Sequence, residues 1–272
     1  MTDGRATVRW CGAGIVELAS PDYHDLVWID AWFWSNGGWS AFGASRPDEY
    51  ASPSGLVDYV RKRGASSVLI ALTHDHQDHI GDYFSALSAL RSAGVNVKTV
   101  LQADMARQGL VARFKEEGLD PGEVIVNGGV GINFGGRAQH GGITTWMVPA
   151  VHSQFSPYPP CGYVVEVGGV RFYASGDTHV FSDLSLVARL YRPDVALVCV
   201  GDNAFTMGPD GAAIAVELLG VSAAVPIHYA HSPRALGPEA GTEFARLVQA
   251  STPGVQVHVL KPGESVEVSA GA

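Results

Sequence analysis

The chain has 272 residues, 46% hydrophobic and 17% charged, which excludes a disordered polymer and gives ample length for a buried core. Its 18 Lys and Arg against 27 Asp and Glu leave a net charge of −9, and no basic run offers a track for nucleic-acid phosphates. Cys11, Cys161 and Cys199 are scattered and form no C-x-x-C pair, which argues against a disulfide framework or a cysteine-zinc site.

In chain order, Thr7–Trp10, Gly14–Leu18 and Leu26–Asp30 read as strands separated by turn-forming residues. Gly12-Ala13-Gly14 is not a dinucleotide loop. Glu17 stands where its third glycine belongs, and a strand-like run follows instead of a helix. Residues 31–55 crowd Trp32, Phe33, Trp34, Trp39, Phe42 and Tyr50 among Gly, Ser and Asn without a period. Such a segment fits two roles: a loop tucked under the domain, or an aromatic lid over a pocket. The apolar run Ser67–Leu72 reads as a buried strand that ends in His74-Asp75-His76-Gln77-Asp78-His79.

Further on, the spacing predicts a helix over Phe84–Ser92, a strand over Val97–Leu101 and a helix over Ala103–Gly118. A second strand series follows at Val124–Val126, Ile132–Phe134, Thr144–Pro149, Tyr163–Val167 and Val170–Ser175. The last third alternates: helix Asp183–Leu190, strand Val195–Val200, helix Asp210–Leu219, strand Ala223–Ile227, helix Pro238–Ala250 and strand Gln256–Leu260. No linker divides the pattern, so residues 1–272 are expected to form one α/β domain of two packed sheets with helices outside. The N-terminus lacks a signal-like segment and no apolar run reaches membrane length, so the expected location is the cytoplasm.

Three imidazoles and two carboxylates at one strand end are the donors that Zn²⁺ and similar ions prefer. Other strand ends add to them. His152 follows Val148–Val151, Asp177 follows Phe172–Gly176, and His228 follows Ala223–Ile227. Any one of these could be a simple turn residue. Four strand ends that all carry metal-competent side chains point to a shared metal site.

This constellation resembles the metallo-β-lactamase-fold superfamily, and the resemblance runs from about Val8 to Val268. It implies a four-layer αβ/βα sandwich with a two-metal site between mixed sheets. By resemblance, His74, His76 and His152 hold the first metal, Asp78, His79 and His228 the second, and Asp177 bridges them. The last third is similar to the ascorbate-6-phosphate-lactonase-like branch and, within it, to a group of metal-dependent hydrolases. That likeness rests on Gly176-Asp177-Thr178, Gly201-Asp202-Asn203, Phe205-Thr206-Met207-Gly208-Pro209, Pro226-Ile227-His228-Tyr229 and Lys261-Pro262-Gly263-Glu264. Those relatives usually carry Gly where Asp75 and Gln77 stand, and Asp-Pro where this chain has Asp30-Ala31.

Two divalent ions, zinc or manganese, about 3.5–4 Å apart can share a water and lower its pKa towards ~7. The expectation is a hydroxide-driven hydrolase of a small carbonyl substrate, a lactone, ester or amide. A phosphodiesterase on the same site is the alternative. Asp78 and His231 are the candidates for catalytic proton transfer. Asp30, Asp75, Asp202 and Thr206 are candidates to support the ligands or touch substrate, and Trp32, Trp34 and Trp39 to shape the pocket. A mononuclear iron oxidoreductase is the alternative of another class, since His and Asp also ligate iron. Diiron oxygen-reducing relatives typically use Glu where His76 stands. A Ser-His-Asp hydrolase on Ser153 or Ser175 would lack the G-x-S-x-G elbow. The expected partner is a small molecule, with no nucleic acid and no membrane, and with room for a homo-oligomer.

Overall fold

The computed structural model describes residues 4–153, 156–201 and 204–271. Among these, one six-stranded sheet has the order β13-β1-β2-β3-β4-β5 and one seven-stranded sheet the order β12-β11-β10-β9-β8-β7-β6. The first contains β1 (Arg5–Trp10), β2 (Val16–Ala19), β3 (Asp25–Ile29), β4 (Ser67–Ala71), β5 (Val97–Val100) and β13 (Ser265–Ser269). The second contains β6 (Arg137–His140), β7 (Ile143–Pro149), β8 (Cys161–Val167), β9 (Val170–Ala174), β10 (Val195–Cys199), β11 (Ala223–Ile227) and β12 (Gln256–Val257).

Helices α1 (Pro53–Arg63), α2 (Gln77–Ile80), α3 (Tyr83–Ser92), α4 (Val111–Glu116), α5 (Pro121–Val124) and α6 (Val126–Gly129) accompany the first half. Helices α7 (Leu184–Tyr191), α8 (Pro209–Leu219) and α9 (Glu239–Ser251) accompany the second.

The layering follows from side-chain alternation. On β3 and β4, Val27, Ile29, Leu69 and Ala71 face the core between the sheets. Leu26, Trp28, Val68 and Ile70 face the other way, onto α1 and α3. Both faces are buried, which is why these strands are continuous apolar runs rather than alternating ones. On the far side, Leu184, Val216 and Phe244 bring α7, α8 and α9 against the second sheet. The result is the expected four-layer α/β sandwich.

Strand direction decides where the polar ends gather. Strands β3, β4 and β5 are mutually parallel, as are β9, β10, β11 and β12. Strand β7 is antiparallel to β8, which is antiparallel to β9, so β7 and β9 end on the same side. Side chains just past β3, β4, β7, β9 and β11 therefore converge at one edge, the usual ligand position of an α/β sheet.

Several elements differ from the sequence expectation. The helix expected over Ala103–Gly118 breaks into a π-turn, Met105–Gly109, and α4. The Leu110 N–H donates to Met105 O, and the Tyr158 ring lies where a Gly109 Cβ would stand. The strands expected at Val124–Val126 and Ile132–Phe134 are single bridges, Thr99 to Ile125 and Gln102 to Ile132. Gly128 and Asn127, both left-handed, break the chain there. The last expected strand, Gln256–Leu260, keeps only its first two residues as β12. Helix α1, β6 and β13 are additions. No helix of the described residues is long and apolar enough to cross a membrane.

Candidate metal centre

Three groups of donor atoms lie within 4.8 Å of one another: His74, His76, His152 and Asp177; His79, Asp177 and His228; and Asp78, His228 and His231. Asp177 joins the first two. Its Oδ1 is 3.4 Å from His79 Nε2 and 3.2 Å from His228 Nε2. Its Oδ2 is 3.9 Å from His74 Nε2 and 3.8 Å from His152 Nε2. Asp78 stands at the mouth, with Oδ2 3.5 Å from His228 Nε2 and 3.7 Å from His231 Nε2.

Three of the imidazoles, His74, His79 and His152, are turned by a partner on the far side. Asp30 is fully buried; it accepts hydrogen bonds from the Thr73 N–H at 2.7 Å, the Thr73 hydroxyl at 2.8 Å and His79 Nδ1 at 2.6 Å. The Thr73 hydroxyl has given its only proton to Asp30, so at 3.0 Å it accepts from His74 Nδ1–H. His152 Nδ1 donates to the Phe205 carbonyl at 2.8 Å. In their neutral forms His74, His79 and His152 would thus all present Nε2 lone pairs inward. His76 presents Nδ1, 3.4 Å from His152 Nε2.

The backbone is strained where it delivers these groups. Asp30 and His228 both have φ of +60°, a conformation that costs a non-glycine residue about 1 kcal/mol or more.

The donor set fits divalent ions. His74 Nε2 and Asp177 Oδ1 are buried and have no hydrogen-bond partner. An unsatisfied buried polar atom costs roughly 1–3 kcal/mol, and a cation placed among these lone pairs removes that cost. The charges are arranged to match. Burial and the neighbouring His79 hold His74 well below the usual histidine range, and burial with His152 lowers His76. Burial opposes charge on His79 and His228, yet Asp177, with Asp30 on His79 and Asp78 on His228, raises both. Burial likewise opposes ionisation of Asp177 and Asp78, but the surrounding imidazoles hold both carboxyls low. His231 is pushed down to about 4 by burial and by His228.

The candidate metal ligands must shed protons to bind, so the raised His79 and His228 set the sign of the pH dependence. Their protonated forms are favoured in the metal-free fold until pH exceeds their raised pKa. Metal affinity should therefore rise with pH through the neutral range, and loading should release protons. Calorimetric zinc titrations in buffers of different ionisation enthalpy would count those protons. Affinity that stays flat with pH would contradict this.

Other expected residues lie elsewhere. Asp75 neither holds an imidazole nor caps a helix; its Oδ1 accepts a hydrogen bond from Ser156 at 3.0 Å. Thr206 is buried and lines the cavity beside the ligands. Asp202 lies outside the described residues. Ser175 is fully buried and spent on Gly176 O and the Cys199 N–H, so it is no nucleophile.

Trp32, Trp34 and Trp39 do not line the cavity. They pack with Phe33, Tyr50 and Trp28 against the outer face of the first sheet. The aromatic segment is a buttress instead of a lid. Arg46 clamps it through the carbonyls of Trp34 and Asn36. The Asn36 amide donates to Cys11 O and Gly12 O at 3.1 Å. That fixes the turn whose Gly14 backs onto two ligands: a Cβ there would lie 2.9 Å from His79 Cε1 and 3.1 Å from His228 Cδ2.

Gly14, Thr73 and the Phe205 carbonyl are site elements that the sequence did not reveal. Gly14→Ala should weaken metal binding roughly ten- to a hundredfold while leaving the circular dichroism spectrum native. Unchanged affinity in a chelator competition would show that the rings yield freely.

Residues 42–229 match the family model of the beta-lactamase superfamily domain. The chain is 37% identical over 207 residues to a UPF0173 metal-dependent hydrolase of Archaeoglobus fulgidus, covering 73% of this chain and 80% of that one. It is 39% identical over 217 residues to one of Thermofilum pendens, covering 79% and 83%. Igni18, a metallo hydrolase from Ignicoccus hospitalis, superposes with a TM-score of 0.72 at 26% identity, over 97% of this chain and 99% of that one. The bridged histidine groups and these likenesses agree: the chain belongs to the metallo-β-lactamase-fold superfamily, beside the UPF0173 metal-dependent hydrolases.

Proposed function

We propose that the protein is a two-metal hydrolase of small carbonyl compounds: lactones, esters or amides. The relatives are named metal-dependent hydrolases, and the resemblance of the last third's motifs to the ascorbate-6-phosphate-lactonase-like branch favours a cyclic or carbonyl substrate. The observation that carries the two-metal reading is Asp177, whose two oxygens are divided between two histidine groups.

Two divalent ions, zinc or manganese, would supply there a water of lowered pKa and positive charge against the developing oxyanion. The protein's own groups do the rest. His74, His76, His79, His152 and His228 hold their lone pairs at fixed places. Asp78, partly exposed and ionised, can take a proton on Oδ2, and His231 beside it is a neutral imidazole that can receive or return one. The cavity holds about 260 Å³, which suits a small substrate.

Elemental analysis of the purified protein, followed by a panel of lactones, esters, amides and phosphodiesters, tests this. Two equivalents of zinc or manganese with carbonyl cleavage are expected. One equivalent of iron with oxygen uptake, or turnover of phosphodiesters alone, would overturn it.

A further inference from the structure

Beside the candidate metal ligands, part of the cavity lining is chemically different. It is formed by Phe205, Ser232, Arg234 and Ala235. Arg234 is the one lysine or arginine among the described lining residues, and it pairs with no carboxylate of the described residues.

Nor is Arg234 on a loose loop. The Ala230 N–H donates to Leu236 O and the Leu236 N–H to Gly201 O, both at 2.7 Å. The Ala235 N–H donates to Ser232 O at 3.1 Å, closing a turn with Pro233 and Arg234 at its centre. The same segment begins at the ligand His228. Arg234, a lining residue of the cavity, is thus carried on a pinned turn.

We propose that Arg234 recognises an oxyanion, a carboxylate or phosphate, on the substrate, which makes the substrate a small acid. This rests on the two-metal reading for the position of the reacting bond. A guanidinium fork matches two oxygens of such a group at once. Phe205, 54% exposed, offers an apolar surface to the carbons between the anion and the scissile bond.

Calorimetry on the metal-loaded protein tests the assignment with the dicarboxylates malonate, succinate and glutarate, each against acetate, propionate and butyrate. One carboxylate can sit at the metals and the second at Arg234. The best-matched dicarboxylate should bind roughly 10- to 100-fold more tightly than its monocarboxylate. In Arg234→Ala that ratio should fall towards one, and Arg234→Lys should keep part of it. A dicarboxylate that gains nothing, or a gain that survives in Arg234→Ala, overturns the proposal.

The compound 3-phosphonopropionate, run beside succinate, identifies the anion. A larger Arg234-dependent gain marks a phosphate, and a smaller one a carboxylate. If the loaded protein cleaves no carbonyl compound, the two-metal hydrolase reading fails while this binding contrast stands. If it cleaves them without the contrast, only the role of Arg234 fails.

Discussion

Replacing Asp177 with asparagine should cut bound metal from two equivalents to one or none and lower hydrolysis by about 10³-fold or more, with the fold intact. Among the described residues, the carboxylate is the single group with an oxygen in both histidine sets. An amide keeps the shape but turns one of those oxygens into an N–H donor that faces lone pairs. The fold survives because Asp177 Oδ1 makes no hydrogen bond that the scaffold needs. The charge is also lost, so His79 and His228 should titrate lower in the metal-free variant, since Asp177 raises both. Elemental analysis, turnover and NMR titration of the histidines read these effects separately. A variant that kept two ions and full turnover would remove Asp177 from the bridge.

The second large effect is expected at Asp30, which stands behind His79 and outside the donor groups. Its carboxylate accepts from the Thr73 N–H, the Thr73 hydroxyl and His79. Asp30→Ala strands three buried donors, and it puts alanine at φ of +60°. Together these should destabilise the fold by about 3–5 kcal/mol and lower Tm by roughly 10 °C. Metal affinity should drop about 10- to 100-fold in both sites. The first site suffers because the Thr73 hydroxyl, freed from Asp30, can donate to His74 Nδ1. His74 then carries its proton on Nε2, where the lone pair should be. Thr73→Val removes only that branch, so it should weaken one binding step and spare the other. A chelator competition that resolves two steps distinguishes the variants, and equal losses in both steps for Thr73→Val would disprove the branch.

Much of this was legible in the chain, for physical reasons. Strands β3 and β4 are buried on both faces, so their unbroken apolar runs stand out, and the polar residues that follow mark their ends. What escaped depends on long-range approach. Thr73 lies beside Asp30 across 43 residues, and nothing local shows that one hydroxyl links a carboxylate to His74. The apolar spacing of Ala103–Gly118 runs on through Gly109, yet Tyr158 packs there from a distant loop. Aromatic crowding after Asp30 correctly marked a packed segment. It could not show whether the rings face the cavity or the outer sheet, because that is settled by Asn36 reaching Cys11 and Gly12. The start of α1 was visible in principle: Ser52 caps it, Pro53 opens it and Gly64 closes it in the left-handed conformation.

Each donor group takes members from both halves of the sandwich. His74, His76, Asp78 and His79 hang from the first sheet, and His152, Asp177 and His228 from the second. Bound ions would therefore act as rivets between the layers as well as reagents. By mass action, each tenfold rise in free metal above its dissociation constant adds about 1.4 kcal/mol per site against unfolding. The lifetime of the folded protein in a cell would then follow the supply of its metal, and starvation for that ion would deplete the enzyme itself along with its activity.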